Sequence, residues 1–206
     1  MRASLSQPRL SKYMKDANDD LTKALELYRW NALLSQSIYT YVQAWEICLR
    51  NKISDFLVWK YNKADWPYDP RLLRNLNAND GRRLTEAKDR QEHDRKIRPA
   101  STPSIVADLS AGFWVSQLNY NVSYSWRYNI GRVFPRDKQV TAKVAHSSCT
   151  EILTLRNRIA HHEPIYHLDL PARRNELSMI TNGMCEATFA YAEATCTFAA
   201  IWKARP

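Results

Sequence analysis

Apolar residues recur at steps of three and four along most of this chain, which is the spacing of one face of an α-helix. The clearest run in the first third of the chain contains Ile38, Val42, Trp45, Leu49, Ile53 and Phe56. Asp19 or Asp20 can cap a helix that begins near Leu21. No Gly or Pro interrupts the sequence from there until Pro67 and Pro70, so we predict a long helix that ends before these prolines.

The sequence from residue 71 to residue 103 differs from its surroundings because charged residues dominate it. It is typical either of a solvated helix that starts at Asp80 or of a mobile excursion from the core. Pro99 and Pro103 bracket a linker. Neither flank looks complete alone, so we predict one domain over residues 1–206, with 71–103 as a charged insertion or linker within it.

The rest of the chain carries four more segments with apolar stripes or runs. These segments cover residues 105–118, 126–134, 137–162 and 173–202. Asp137 can cap a helix in the third segment, and Pro164 must end it. The last segment has the most regular stripe in the chain, which indicates a single core-facing helix. No segment alternates apolar and polar residues as a strand does, so the predicted fold class is all-α. Residues Met1 to Met14 are expected to form only a short arm.

Composition adds constraints without naming a function. Only four of 206 residues are Gly, and folds with many tight turns need more, which favours helices. Lys and Arg number 30 against 21 Asp and Glu, a net charge of +9 that favours an anionic partner. No apolar run is long enough to span a membrane, and we do not expect Met1 to Leu10 to be a secretory signal. The four cysteines form no CxxC pair and are expected to be buried thiols, so we expect a cytoplasmic protein.

The densest polar cluster lies in the sequence LRNRIAHHEP, which starts at Leu155. A helical wheel takes Leu155 as its buried reference. Arg156 then lies about 100° round, Asn157 about 200° and His161 about 240°. Asn157 and His161 therefore share the face opposite the core, with Arg156 beside it. His162 falls about 20° from the reference if the helix stays regular, which predicts a structural histidine on the core side.

These three outward residue types, Arg, Asn and His, suit cleavage of an RNA phosphodiester without a metal. Arg binds phosphate through a planar fork of donors, His exchanges a proton near neutral pH, and Asn can orient either. A base removes the proton of the 2′-hydroxyl, a cation stabilises the phosphorane, and an acid protonates the leaving 5′-oxygen. Two proton-transfer groups serve this reaction best, and a symmetric dimer would bring two copies of His161 together. An ordinary solvated helix shows the same outward face.

The motif resembles that of the HEPN superfamily, whose ribonucleases carry an Arg followed, after four to six residues, by a His. Arg156 and His161 have four residues between them, and Asn157 follows the Arg as it commonly does in that superfamily. Over most of the chain, further segments resemble the Abi-like (abortive-infection) family in that family's order. They are Pro8-Arg9-Leu10, Leu27-Tyr28-Arg29-Trp30-Asn31, Glu46 to Asn51, Gly112-Phe113-Trp114-Val115-Ser116 and Leu155 to Pro164. The charged stretch from Asn75 to Arg98 has no such counterpart.

The resemblance implies an all-helical, HEPN-like bundle with long helices, a homodimer, and a role in bacterial defence against phage through RNA cleavage. It carries over Arg156, Asn157 and His161 as the motif positions. An antitoxin or a phage trigger is a further partner to expect, because many superfamily members are inactive or serve as binding or antitoxin partners. Some relatives have a Tyr two residues after the His. Here that position is Glu163, so no role of that Tyr carries over.

A second group of residues could contact RNA beside the motif positions. The group consists of Arg158, His162, Arg50, Asn51 and Glu46. Arg50 and Asn51 lie in LRNKI, which echoes the LRNRI of the motif, and either could add a phosphate contact. Glu46 and Arg50 are one helical turn apart, however, so a local ion pair is the simpler explanation for them.

Two alternatives to an RNA-cleaving enzyme stay open. A non-catalytic RNA-binding or protein-interaction module of a defence or toxin–antitoxin system would keep the basic face without cutting. A metal site could use His161, His162, Glu163 and His167, but their spacing is not HExxH and no Cys pair supports it. We therefore expect no metal and no cofactor. RNA cleavage that continues in EDTA, RNA left intact, and activity lost on chelation distinguish the three possibilities.

Overall fold

The computed structural model describes residues 7–119 and 124–206, except for the side chains of Gln7 and Arg95. Within these ranges the chain folds into α-helices, with one short 3₁₀ turn at Trp66–Tyr68 and no strand. The helices are α1 (Gln7–Asp16), α2 (Leu21–Tyr61), α3 (Pro70–Asn75), α4 (Ala78–Arg95), α5 (Thr102–Asp108), α6 (Ala111–Gln117), α7 (Trp126–Val133), α8 (Ala142–Ala160), α9 (Leu170–Met184), α10 (Glu186–Thr195) and α11 (Phe198–Lys203). The predicted all-α fold class is confirmed.

Most of the other helices pack against helix α2. It has 41 residues and is about 60 Å long, and α1 and α5 to α11 all contact it. The Asp20 carboxylate accepts hydrogen bonds from the N–H groups of Thr22 and Lys23, which satisfies two free donors of the first turn. Asn62, in the left-handed conformation, ends the helix before the prolines. The long helix and its Asp20 cap are as predicted.

The charged insertion contains a packed helix and is not an excursion from the core. The Asn77 side chain accepts a hydrogen bond from the Asp80 N–H and caps α4. Leu84 and Ala87 are fully buried, and the helix packs against α5 and α6. The Asp80 side chain is buried as well, so this residue lies inside the protein and not on a solvated surface. Residues 71–103 therefore contribute to the core despite their charge.

The carboxy-terminal part of the chain contradicts the prediction of one helix over residues 173–202. Three helices, α9, α10 and α11, cover this range. Extended backbone at Cys185 separates the first two, and a second break lies at Cys196 and Thr197. The apolar stripe stays regular because each of the three helices packs on α2. No Pro marks either break, so the pattern of apolar residues conceals them.

Several smaller boundaries also differ from the predictions. The expected arm contains a helix, α1, although residues 1–6 lie outside the described ranges. The segment 105–118 is divided at Leu109 and Ser110. Thr141, and not Asp137, caps α8, because its side chain accepts a hydrogen bond from the Val144 N–H at 3.3 Å. The segment 126–134 matches α7 to within one residue.

The four thiols differ in their burial and in their acidity. Cys48 and Cys149 are buried, whereas Cys185 and Cys196 are half-buried, so the expectation of four buried thiols holds for only two. Burial raises the pKa of the Cys149 thiol to about 12. Hydrogen bonding from the side chain and backbone of Thr188 lowers the pKa of Cys185 below its ordinary value.

We expect iodoacetamide to label Cys185 before Cys149 in the native protein. The thiolate is the reacting species, so a lowered pKa lets Cys185 react at lower pH, while burial and a raised pKa protect Cys149. Peptide mass spectrometry after limited labelling, repeated over a pH series, measures the order. Cys185→Ser should abolish the fast phase, and equal rates for the two thiols would contradict this assignment.

Candidate functional site

The motif sequence lies at the carboxy-terminal end of α8. The helix ends in a Schellman turn. The Glu163 N–H donates to the Arg158 carbonyl at 2.8 Å, and the His162 N–H donates to the Ile159 carbonyl at 3.0 Å. His162 has a φ of 56°, which lies in the left-handed region. Pro164 favours this stop because the residue before a proline is disfavoured in the helical conformation.

This turn changes where the two motif histidines lie. The wheel that places His162 on the core side assumes a regular helix, but α8 ends at Ala160. Both His161 and His162 are exposed to solvent. The prediction that His162 is a structural core histidine is therefore wrong, since a left-handed residue takes the chain off the helical path.

A buried amide holds the chain that follows the turn. Asn31 of α2 is only 5% exposed. Its Oδ1 accepts hydrogen bonds from the N–H groups of Ile165 at 2.7 Å and Tyr166 at 3.3 Å. Its Nδ2 donates to the Glu163 carbonyl at 3.4 Å. One side chain thus supplies partners for three backbone groups that no helix or strand satisfies.

Two arginines hold the same turn from other directions. Arg9 Nη1 donates to the His162 carbonyl at 2.8 Å. Arg158 Nη1 donates to the Pro164 carbonyl at 3.3 Å, and the same nitrogen lies 3.7 Å from Glu163 Oε2. Arg158, a candidate for RNA contact, is therefore engaged in the architecture of the loop.

In the sequence, Asn31 and Arg9 stand out only as members of segments that resemble the Abi-like family. The sequence does indicate that Asn31 is buried, because this residue lies in helical register with the apolar residues Leu34 and Ile38. A polar residue on a buried face needs a hydrogen-bond partner. The hydrogen-bond partners of Asn31 lie more than a hundred positions later in the sequence, so the helical spacing does not predict them.

A cleft of about 860 Å³ opens between α2 and the end of α8. The acidic, basic and imidazole side chains of its lining are those of Glu46, Arg50, Arg156 and His162. Arg156 and Glu46 are 110 residues apart in sequence. The structure thus brings four of the eight candidate residues together in one cleft.

Glu46 pairs with Arg156 rather than with Arg50. Arg156 Nε donates to Glu46 Oε2 at 3.0 Å. The expected local ion pair is absent, since Arg50 makes no salt bridge within the described part of the chain. Arg50 Nε is also buried without a hydrogen-bond partner. Two guanidinium groups against one carboxylate leave the cleft with an excess of positive charge, which suits a phosphate.

The remaining candidates lie beside the cleft or away from it. Asn157 is exposed, and its Oδ1 accepts a hydrogen bond from Arg156 Nη1 at 3.5 Å. His161 is exposed but does not line the cleft. Asn51 lines a different cavity of about 510 Å³, which Cys185 also lines. The echo of LRNRI at LRNKI therefore contributes Arg50, but not Asn51, to the cleft.

The cleft is lined by side chains that can bind a phosphate and by one, His162, that can transfer a proton. His162 follows Arg156 after five intervening residues, so it satisfies the HEPN spacing as His161 does. The structure therefore adds His162 as a proton-transfer candidate inside the cleft. The helical wheel missed it because the wheel cannot represent a left-handed turn.

The alternative of a metal site receives no support from the geometry. Across residues 7–119 and 124–206, no group of three or more His, Cys, Asp and Glu side chains is arranged to hold a metal ion. His161, His162, Glu163 and His167 are close in sequence but do not converge.

Comparisons of the chain with models of protein families, with curated proteins and with solved structures find no match. No described helix combines the length and the apolar character needed to cross a bilayer. The likeness to the Abi-like family and the HEPN superfamily therefore rests on the motif residues and the segments that accompany them.

Asn31→Ala should loosen the turn that carries His162, because it removes the partner of three backbone groups. We expect the free energy of unfolding to fall by roughly 2–4 kcal/mol and amide exchange to accelerate over residues 161–166. Denaturant unfolding and hydrogen–deuterium exchange measure the two effects. Glu26→Ala, at an exposed position of the same helix α2, is the control and should stay within about 0.5 kcal/mol of the wild type. If amide exchange over residues 161–166 stayed at the wild-type rate in the Asn31→Ala variant, the hydrogen bonds of Asn31 would not be what holds this turn.

Proposed function

We propose that this protein is a metal-independent endoribonuclease of the HEPN type that acts in abortive-infection defence against phage. The observation that carries the proposal is the convergence of Arg50, Arg156 and His162 on one cleft, with Glu46 bound to Arg156. The net charge of +9 suits a polyanionic substrate. The all-α architecture is compatible with a HEPN-like bundle. The spacing between Arg156 and the histidines that follow it supports the assignment to the HEPN type.

In the proposed reaction, Arg156 and Arg50 bind the non-bridging oxygens of the scissile phosphate. A histidine accepts the proton of the 2′-hydroxyl, whose oxygen attacks the phosphorus and forms a 2′,3′-cyclic phosphate. The bond between phosphorus and the 5′-oxygen breaks, and a second histidine gives a proton to that oxygen. The guanidinium groups stabilise the extra charge of the phosphorane. DNA lacks the 2′-hydroxyl, so the reaction is restricted to RNA.

Glu46 acts through Arg156 in this proposal and is a positioning residue. Its carboxylate accepts from Nε of Arg156, which fixes the plane of the guanidinium group and leaves the terminal nitrogens for Asn157 and the phosphate. The two partners lie on different helices, so the same ion pair ties α2 to α8 at the cleft. A carboxylate that touched the phosphate directly would oppose binding.

A homodimer would supply the second proton-transfer group. His162 lines the cleft of its own protomer, while the adjacent His161 is exposed outside it. We infer that His161 of the partner subunit completes the site across a two-fold axis. In this arrangement each histidine has one role, and neither protomer is active alone.

A non-catalytic RNA-binding or protein-interaction module of a defence or toxin–antitoxin system is the second candidate. It is favoured by the fact that His162 is the one histidine in the described lining of the cleft, whereas acid and base catalysis use two groups. Such a module would bind RNA in a salt-dependent manner and leave it intact. An antitoxin or a phage trigger would then be its protein partner.

Wild-type protein incubated with total RNA or tRNA in EDTA should release fragments that end in 2′,3′-cyclic phosphate. Arg156→Ala should slow cleavage by about 100-fold or more, since it removes the cation that stabilises the phosphorane. Arg82→Ala, which removes an exposed arginine paired with Glu86 on α4, is the control and should cleave at the wild-type rate. RNA left intact by the wild type would favour the binding module, and activity lost in EDTA would favour a metal enzyme.

Mixing two inactive variants tests whether the site is shared between protomers. Arg156→Ala and His161→Ala homodimers should each be inactive. After co-refolding, a heterodimer of the two retains one intact site out of two, so random pairing should restore about a quarter of the wild-type rate. Gel-resolved cleavage of a labelled RNA measures the recovery. No recovery would place both residues in one protomer, and full activity of the His161 variant alone would remove this histidine from the reaction.

A further inference from the structure

Tyr39 lies on the wall of the cleft towards the amino-terminal part of α2. Its side chain is 54% exposed and lines the cleft. Within the described ranges it makes no ring contact, cation–π contact or side-chain hydrogen bond. A large aromatic ring that stands free beside a positively charged site offers a flat surface to a ligand.

Two amide side chains flank this ring on the same face of α2. Gln36, Tyr39 and Gln43 follow one another at steps of three and four, and all three line the cleft. The same stripe continues to Glu46 and Arg50, again at helical spacing. The side-chain amides of Gln36 and Gln43 have no hydrogen-bond partner in the described part of the chain, so their donors and acceptors are available.

The stripe therefore changes in character along the cleft. It is cationic near Arg50 and Arg156, and it is aromatic and amide-rich near Tyr39. Tyr39 and Glu46 are seven residues apart on one helix, which is about 10 Å. Arg50 lies eleven residues from Tyr39, or about 16 Å along the helix axis, so the base that can reach the ring is one that flanks a phosphate held near Glu46 and Arg156.

We propose that the Tyr39 end of the cleft is a nucleobase subsite, in which Tyr39 stacks on an unpaired base and Gln36 and Gln43 hydrogen-bond its edge. The subsite rests on the proposed RNA-binding role of the cleft, but it does not require that the protein cleave RNA. Proteins recognise single-stranded RNA by stacking splayed bases on aromatic rings and reading their edges with polar groups. This assignment makes the substrate a single-stranded segment, since a paired base is not free to stack on the ring.

A nucleobase fits this surface better than a second copy of the chain does. Amide and hydroxyl groups from Ser35, Gln36, Thr40 and Gln43 line this part of the cleft together with the apolar side chains of Val42 and Ile47, whereas the centre of a homodimer interface is typically more apolar. The excess cationic charge at the other end of the same stripe matches the backbone of a nucleic acid. The aromatic and the cationic parts thus suit the two halves of one nucleotide.

Binding of non-cleavable RNA separates this subsite from catalysis. We would measure the Kd of a fluorescein-labelled 2′-O-methyl oligoadenylate, and of its abasic counterpart, by anisotropy at one ionic strength. Tyr39→Ala should weaken binding of the oligoadenylate by roughly 5- to 100-fold and leave binding of the abasic chain unchanged. Tyr39→Phe keeps the ring and should bind within about threefold of the wild type. Tyr128→Ala, which removes an exposed tyrosine on α7, is the matched control and should bind both RNAs as the wild type does.

The possible outcomes distinguish failure of the subsite from failure of the nuclease. Equal affinities of the wild type and the Tyr39→Ala variant for oligoadenylate would overturn the subsite, as would no binding by the wild type. A lower sedimentation mass of Tyr39→Ala would overturn it in favour of an interface between copies. Base-dependent binding through Tyr39, by a wild type that leaves unmodified RNA intact, would support the subsite and refute the nuclease.

Discussion

The hydrogen bonds of the Asn31 side chain are the constraint on which the geometry of the motif depends. They connect α2 to the backbone that follows α8, and without them the segment after His162 would have unsatisfied groups inside the protein. Arg9 secures the carbonyl of His162 from the amino-terminal helix. Three separate parts of the chain therefore meet at one turn, and the turn sets where the imidazoles lie.

Electrostatics then determines what the cleft can bind. The carboxylate of Glu46 forms an ion pair with Arg156. It therefore orients the guanidinium group of Arg156 and does not neutralise that of Arg50. Within the described part of the chain, Arg50 Nε is buried without a hydrogen-bond partner, which costs free energy. Arg50 also lines the cleft, where its positive charge would attract an oxyanion. Sites for phosphate chemistry commonly hold positively charged side chains in fixed positions, where they stabilise the negative charge of the phosphate.

Much of the fold follows from the sequence, and much of the site does not. The period of the apolar residues and the cap at Asp20 define α2, because both are local effects. The breaks at Cys185 and Cys196 escaped prediction, since three short helices that pack on one long helix keep the same period as a single helix. The pairing of Glu46 with Arg156 is a tertiary contact, and local spacing suggested Arg50 instead. The position of His162 depends on a backbone conformation to which no helical wheel applies.

The left-handed conformation of His162 has a consequence for how this turn evolves. Residues other than glycine adopt positive φ at a cost, and glycine is the usual occupant of this position in a Schellman turn. A glycine there would relax the backbone and remove the imidazole from the cleft in a single substitution. Under the proposed function, selection for a more stable fold favours glycine at this position, whereas selection for a titratable group favours histidine.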